Sequence, residues 1–334
     1  MQRRNVLAGL MFGCVAAMSG MTAMTGMTGL ASAQPVTPAT AAPINAVVTI
    51  APLKGLLEPL LPPGSAVTML MQPGRSEHGY EFTPADVARV AQADLVVYVG
   101  LNLETKFGEI LRRPSAAGRR VLCFGEVVGL QKPGGPVPNS GHVHKHAPGE
   151  VCDHDHEAGY VDQHLWLDPV LVARLIPAMR AEIEAIQRAR GTLSDAEKAR
   201  LASAEEALIQ RVMQVHTDWS TRLLPIKGVP VVTHHNAFPR AAERYGFRIA
   251  AVVRPFETSD PSPKEIAQTV QVIRTQNVPA IFIEPQFNAG AAKRIAQAAG
   301  ITVGSLDPLG DGDWFKMMEG NLNQLVEHLT PKAK

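Results

Sequence analysis

Two blocks of alternating strand and helix signals, separated by one long amphipathic run, constrain the fold of this chain most strongly. Short apolar runs mark the strands, and segments with helical spacing lie between them. The apolar runs are 46–50, 66–71, 94–99 and 120–124 in the first block, and 229–233, 248–253, 280–284 and 302–305 in the second. Because strands that alternate with helices pair in parallel, each block predicts an α/β lobe with a mainly parallel sheet.

The run between the blocks predicts a single long helix. It begins with Ser194-Asp195-Ala196-Glu197, the pattern of a capping box. Apolar residues then step by three and four along the chain, at Leu201, Ala204, Leu208, Val212, Val215, Trp219 and Leu223. A helix of roughly thirty residues would be about 45 Å long. We therefore expect a linking helix over 193–225, between an N-terminal lobe at 46–192 and a C-terminal lobe at 226–334.

Residues 1–33 predict an export signal that is not part of the fold. Arg3 and Arg4 precede an apolar stretch, and Ala31-Ser32-Ala33 has the small-x-small pattern of a cleavage site near Ala33. Paired arginines fit the twin-arginine route and are also common in ordinary signals, so both routes stay open. Residues 34–45 predict a flexible leader. Without the two signal arginines the net charge of +1 becomes −1, and a nearly neutral chain gives no support for nucleic acid as a partner.

Six of the eleven histidines lie between Gly141 and Pro169. Five of them lie in one stretch that also carries Asp153, Asp155 and Glu157: His142, His144, His146, His154 and His156. A packed core cannot hold so many titratable groups side by side, and neutral imidazole is a favoured ligand of zinc-like metals. We expect a mobile, metal-attracting loop at 142–157, although a solvated loop that binds metal incidentally is the alternative. The sixth, His164, lies among apolar residues before a helix start and predicts a fixed ligand.

Cys123 and Cys152 remain after the signal is removed, and they flank the first part of the His-rich loop. An exported protein can keep such a pair oxidised. We therefore predict a Cys123–Cys152 disulfide at the base of the loop. An unpaired core thiol is the alternative for Cys123.

Other metal-ligating residues follow strands at equivalent places in both blocks. In chain order the candidates are Glu77, His78, His164, His234, His235 and Asp307. Ligands of open α/β sheets bind beyond the carboxyl ends of the strands, so two facing lobes would bring these residues into one cleft. Three imidazoles and a carboxylate complete a four-coordinate zinc site. Taken singly, each residue is equally compatible with a loop, turn or helix-entry role. Neighbouring side chains alternate, so only one of His234 and His235 should face the cleft.

Five ordered motifs then carry a family resemblance. They are 78–86 with 93–100, 164–169, 235–238, 284–287 and 306–310. The first three, which begin with His78, His164 and His235, resemble the metal motifs of zinc and manganese ABC-transporter solute-binding proteins. Glu284-Pro285-Gln286-Phe287 and Leu306-Asp307-Pro308-Leu309-Gly310 resemble the zinc-specific, ZnuA-type branch of that family.

The resemblance implies two α/β lobes joined by one long rigid helix, with the metal between them. Carried over residue by residue, it makes His78, His164 and His235 the ligands. Members of the family differ in the fourth ligand, so Asp307, Glu77 and water all stay open. Glu284 matches a recurrent position that the resemblance implies to be a supporting carboxylate. Two departures concern the loop, which is shorter than in many relatives, and the cysteine pair, which some relatives carry in the C-terminal lobe.

The resemblance also implies what the protein does and where. We expect zinc to be the transported ligand of a periplasmic, monomeric protein that is not an enzyme. Its partners would be an inner-membrane ABC permease and its ATPase, with a periplasmic zinc chaperone as a further candidate. Three imidazoles favour zinc over manganese, although affinity order alone also admits copper and nickel.

Two other classes of protein are weighed against this interpretation. A zinc hydrolase would also use three histidines and a water, but the chain lacks His-Glu-x-x-His and offers as general base Glu77 or Glu284. A metal-sensing or adhesive surface protein could share the fold. The poor lipoprotein site at Gly13-Cys14 makes a surface anchor less expected.

Deleting residues 142–157 should leave tight zinc binding intact and lower only the stoichiometry or the transfer rate. The loop has no helical or strand period, so ordering it costs about 1–2 kcal/mol per fixed residue, whereas the cleft ligands follow rigid strands. Titration calorimetry on the deletion and on His235→Ala compares the two places. Loss of tight binding in the deletion, with retention in His235→Ala, would place the site in the loop.

Overall fold

The strands of the first block form one parallel sheet, as predicted. The computed structural model describes residues 41–72, 74, 77–78, 80–104, 108–112, 118–133, 161–254 and 261–330. Its first four strands are β1 (Asn45–Val48), β2 (Ala66–Met69), β3 (Leu95–Tyr98) and β4 (Arg120–Cys123). They are ordered β2-β1-β3-β4, with β1 paired in parallel to both β2 and β3. The helices beside them are α1 (Ala51–Leu57), α2 (Pro84–Gln92), α3 (Gly108–Arg112) and α4 (Phe124–Val127).

The second block repeats this topology. Its strands are β5 (Pro230–Thr233), β6 (Arg248–Val252), β7 (Ala280–Ile283) and β8 (Thr302–Ser305), in the order β6-β5-β7-β8 and all parallel. Its helices are α7 (Pro239–Tyr245), α8 (Pro263–Gln276), α9 (Gly290–Ala299) and α10 (Trp314–Leu329). The predicted α/β class with two parallel sheets is confirmed. In each sheet the second strand lies on one side of the first strand and the third strand lies on its other side. This reversal of strand order creates the crevice where such folds bind ligands.

Two long helices lie between the sheets in the sequence and pack along each other: α5 (Pro169–Ala189) and α6 (Asp195–Arg222). With 28 residues, α6 is about 42 Å long. Its predicted apolar stripe is buried at Leu201, Leu208, Val212, Trp219 and Leu223. We call the described residues before α6 the N-terminal half and those after it the C-terminal half. The limits given above to the two lobes stay predictions.

The capping box expected at the start of α6 is incomplete. The Ser194 side chain accepts a hydrogen bond from the Glu197 backbone N–H, as predicted. The Glu197 carboxylate instead accepts two 2.8 Å hydrogen bonds from Arg200. A bidentate guanidinium is a stronger partner for a carboxylate than one backbone N–H, so Arg200 captures the side chain.

One apolar core extends through both halves, and all three tryptophans lie in it with at most 1% of their surface exposed. Trp166 donates its indole N–H to the Pro308 carbonyl at 2.5 Å, and Trp314 donates to the Trp166 carbonyl at 2.8 Å. Trp219 of α6 donates to the Met318 carbonyl of α10 at 3.2 Å. Buried indoles with satisfied N–H groups add apolar contact without an unpaired donor, so these residues hold the two halves together.

Two buried titratable side chains lie near the ends of β3 and β4. The buried Glu104 carboxylate accepts hydrogen bonds from the backbone N–H groups of Val99 and Gly100 and closes the turn after β3, and the Glu104 carbonyl accepts from the Gly108 backbone N–H at the start of α3. Cys123 is buried at the end of β4, where burial raises the pKa of its thiol to about 11. Cys152, the loop at 142–157 and the signal segment lie outside the described residues, so the disulfide stays a prediction.

None of the helices in the described part of the chain has the length and apolar character that a membrane span requires.

Replacing Asp86 by Asn should lower the free energy of unfolding by about 1 kcal/mol at neutral pH. Asp86 closes a complete capping box with Thr83 and also pairs with Arg89. Burial would raise the pKa of Asp86, but hydrogen bonds from Thr83 and Tyr80 and the Arg89 charge hold it below its usual value. The stabilisation is therefore present above the unfolded pKa, near 4, and is lost as the pH falls through the folded pKa. Urea unfolding at neutral pH and at about pH 3 measures both differences. A gap between the two proteins that is the same at both pH values would contradict this account.

Candidate metal centre

Four side chains from both halves converge at one point: Glu77, His78, His164 and His235. One potential ligand atom of each lies within 4.8 Å of those of the other three. Glu77, His164 and His235 are buried, and His78 is half-buried. Nε2 of His164 lies 3.3 Å from Oε1 of Glu77 and 3.3 Å from Nε2 of His235, which is itself 3.6 Å from Oε1 of Glu77. We call these four residues the ligand group.

These spacings fit ligands around one small cation. Tetrahedral coordination with bonds of about 2.0–2.1 Å places the ligand atoms about 3.3–3.4 Å apart. The measured values among Glu77, His164 and His235 are 3.3, 3.3 and 3.6 Å. Oε1 of Glu77 is buried and makes no well-formed hydrogen bond, which is costly for a carboxylate unless a cation takes that place. The residues present therefore suit a divalent metal ion.

Each member of the ligand group follows a strand or precedes a helix. Glu77 and His78 lie between β2 and α2, and His235 follows β5. His164 is the N-cap of a short 3-10 helix, Leu165–Leu167, that leads into α5. The ends of β5 and β7 border the crevice of the C-terminal sheet, so His235 lies at the expected ligand position of this fold.

Two carboxylates fix the direction of the buried imidazoles. Oδ1 of Asp162 accepts hydrogen bonds from the backbone N–H of His164 at 3.0 Å and from its Nδ1 at 2.7 Å. Oε1 of Glu284 likewise accepts from the backbone N–H of His235 at 3.3 Å and from its Nδ1. An ionised carboxylate accepts only, so each Nδ1 carries the hydrogen, and each Nε2 faces the centre, where it can bind a metal ion once it has lost its proton.

The electrostatics of the centre favour positive charge. Burial would raise the pKa of Glu77, but the neighbouring imidazoles of His164, His235 and His78 hold it well below its usual value. Burial would lower the pKa of His164, but Asp162 and Glu77 outweigh it and raise that pKa to about 10. The pKa of His235 is also raised, because Glu284 and Glu77 outweigh its burial. Without a metal, protons balance the buried carboxylates, and a metal ion would replace them.

The structure separates the alternatives that the sequence left open. His234 is outside the ligand group and packs its ring on Phe287, with centroids 4.6 Å apart. Asp307 is also outside the group, because its Oδ1 accepts from Gln286 at 2.6 Å and from the backbone N–H groups of Leu309 and Gly310. Of the two carboxylates considered, the structure brings Glu77 and not Asp307 to the three histidines.

Asp162 contacts His164 of the ligand group and was not among the residues that the sequence predicted for the site. It lies beside His164, five residues beyond the predicted loop, with 8% of its surface exposed. The available signal was its spacing, since an Asp two residues before a His can reach both the backbone N–H and Nδ1 of that His. The loop histidines themselves lie outside the described residues.

The fold and the ligand group define a class: a protein with two parallel α/β sheets that brings three histidines and a glutamate together between its halves. Residues 46–328 match the family model described as zinc-uptake complex component A, periplasmic (ZnuA). The chain belongs to this family.

The individual relatives described next are each less than 30% identical to this chain. The high-affinity zinc uptake system protein ZnuA of Yersinia pestis is 28% identical over 281 residues, which cover 80% of this chain and 84% of the relative. The zinc-binding protein AdcA of Streptococcus pyogenes is 26% identical over 301 residues, which cover 84% of this chain and 55% of AdcA. The chain thus spans about half the length of the AdcA relatives. A crystal structure of ZnuA, 21% identical, has a TM-score of 0.68 and covers 86% of this chain and 100% of that one.

Replacing His235 by Ala should weaken zinc binding roughly a hundredfold or more, because about 10–16 kcal/mol of binding free energy is shared among four ligands in a tetrahedral site. Asp307→Asn is the matched carboxylate control and should change the zinc dissociation constant little. Competition against a chromophoric chelator measures both constants. A large loss in Asp307→Asn together with a small one in His235→Ala would show that the ligand group has been misassigned.

Proposed function

We propose that this chain is the zinc-binding component of a zinc importer, which captures zinc outside the cytoplasm and delivers it to an ABC permease and its ATPase. The observation that carries the proposal is the ligand group, with its close spacing and its orienting carboxylates. Membership of a family described as a zinc-uptake component supports the same conclusion. Under this proposal zinc is the cargo that the protein passes on.

The composition of the ligand group supports zinc over manganese. Three imidazoles and one carboxylate are nitrogen-rich, whereas manganese favours carboxylate, carbonyl and water oxygens. The affinity order for nitrogen ligands also places zinc above manganese. That order alone does not separate zinc from copper or nickel, so the availability of the metal contributes to the choice.

Both carboxylates that a hydrolase could use as general base have other roles here. Glu77 lies in the ligand group itself, and Glu284 accepts a hydrogen bond from Nδ1 of His235. With Glu77 as the fourth ligand, the protein fills the position that catalytic zinc sites keep for water. The chain is accordingly a solute-binding protein and not an enzyme, as its family is.

Release of zinc follows from the origin of the ligands. Glu77, His78 and His164 come from the N-terminal half, and His235 comes from the C-terminal half. Any movement that separates the halves removes one ligand from the other three. We propose that docking on the permease favours such a separation and so lowers the affinity when zinc must leave.

Several finer features complete the proposal. The chain is exported to the periplasm, its signal is cleaved near Ala33, and the mature protein acts as a monomer. The loop at 142–157 collects zinc or binds a second, weaker ion, and a Cys123–Cys152 disulfide closes its base. A periplasmic zinc chaperone is a further partner. These features rest on the sequence patterns described above.

The purified mature protein should bind one zinc ion tightly and prefer it to manganese in direct competition. The nitrogen-rich ligand group is the physical reason. Equilibrium dialysis against equal concentrations of the two metals, followed by elemental analysis, measures the ratio. His235→Ala is the control for binding outside the ligand group. Equal or better retention of manganese would refute the zinc assignment.

A further inference from the structure

Two arginine–aspartate pairs cross between the halves beside the ligand group, and one of them reaches a proposed zinc ligand. Arg240 and Arg244 lie one turn apart on α7 of the C-terminal half. Their partners, Asp162 and Asp168, lie on either side of His164 in the N-terminal half. Both pairs join α7 to the segment around His164, and they differ in the second contact that the aspartate makes.

In the first pair, Arg240 contacts Asp162 at two places. A terminal nitrogen of Arg240 donates to the Asp162 backbone carbonyl at 2.8 Å, and its Nε lies 3.4 Å from Oδ2. The other carboxylate oxygen, Oδ1, is used by the backbone N–H and Nδ1 of His164. Oδ2 is buried and makes no well-formed hydrogen bond, so the Arg240 charge compensates it. Removing that charge would leave a buried carboxylate without a cationic partner on this side.

This arrangement links both halves to one imidazole. Arg240 follows His235 by five residues. A single segment of the C-terminal half therefore supplies one member of the ligand group and also contacts Asp162, which supports His164. The order of contacts is Arg240 to Asp162 to His164. When the halves are in contact, Asp162 is held and Nε2 of His164 points to the centre. When they separate, Arg240 leaves together with His235.

We propose that Arg240 is a positioning residue for zinc, which acts through Asp162 on the direction of His164. The inference rests on the proposed function, because it assigns a role in the affinity of that same site. Arg240 itself is not a ligand. Its effect is to make the orientation of His164 depend on the contact between the halves.

The second pair is a matched control that the chain itself provides. Arg244 donates to Oδ2 of Asp168 at 2.5 Å, and Oδ1 of Asp168 caps α5 by accepting from the Val170 backbone N–H. The side chains of Arg240 and Arg244 are 21% and 31% exposed, and those of Asp162 and Asp168 are 8% and 4% exposed. Both pairs therefore contribute to the contact between the halves, whereas Asp162 alone of the two aspartates holds a member of the ligand group.

The test compares Arg240→Met and Arg244→Met, with Arg240→Lys as the conservative variant. Zinc dissociation constants come from chelator competition, the geometry of the centre from the visible absorption of the cobalt(II)-substituted protein, and stability from melting temperatures. Arg240→Met should weaken zinc binding roughly tenfold, as is usual for the loss of a support behind a ligand, and change the cobalt spectrum. Arg240→Lys should recover part of the affinity. Arg244→Met should lower the melting temperature and keep the dissociation constant within about twofold.

A double-mutant cycle with Asp162→Asn isolates the route of the effect. If Arg240 acts through Asp162, adding Arg240→Met to Asp162→Asn should weaken zinc binding no further. If Arg240→Met does not fold, Arg240→Gln and Arg240→Lys supply the same comparison.

Three results would overturn the inference: unchanged zinc affinity in the Arg240 variants, an equal loss in Arg244→Met, or full additivity with Asp162→Asn. Failure of the proposed function has a different signature. His235→Ala would then keep the affinity of the unmodified protein, whatever the arginine variants do.

Discussion

The buried carboxylate of Glu77 is the interaction on which the centre depends. It is 1% exposed, and a charged oxygen at that depth is tolerated where cations or strong donors surround it. Three imidazoles do so here, and Asp162 and Glu284 stand behind two of them. The result is one buried carboxylate beside three imidazoles, two of which are held by further carboxylates. This arrangement suits a small divalent ion. The low pKa of Glu77 and the raised pKa of His164 both express this need for positive charge.

The second requirement is that the two halves meet in a defined way, since each supplies members of the ligand group. Trp166 and Trp314 provide that contact, and each indole N–H donates to a carbonyl across the boundary. Trp166 also packs its ring against His164, with centroids 5.3 Å apart. The packing that joins the halves is therefore in direct contact with the metal centre.

Local sequence patterns predicted most of the fold. Thr83 and Ser262 form the capping boxes that start α2 and α8, and the apolar stripe of α6 is buried as its spacing predicts. The exception at the start of α6 has a physical cause, which is competition from a stronger partner on the same helix. The Glu197 carboxylate pairs with Arg200, one turn further along α6, instead of with the backbone at the helix start.

By itself the sequence determined the two α/β blocks, the long helix between them and the set of residues from which a metal site could be built. Strand and helix periods are local, so they can be identified without knowing what packs against what. Tertiary structure alone brought Glu77 and not Asp307 to the three histidines, because this choice depends on which atoms meet across the two sheets. It also paired Arg240 with Asp162, 78 residues apart. No local pattern encodes such a contact, since it exists only when both halves have folded and met.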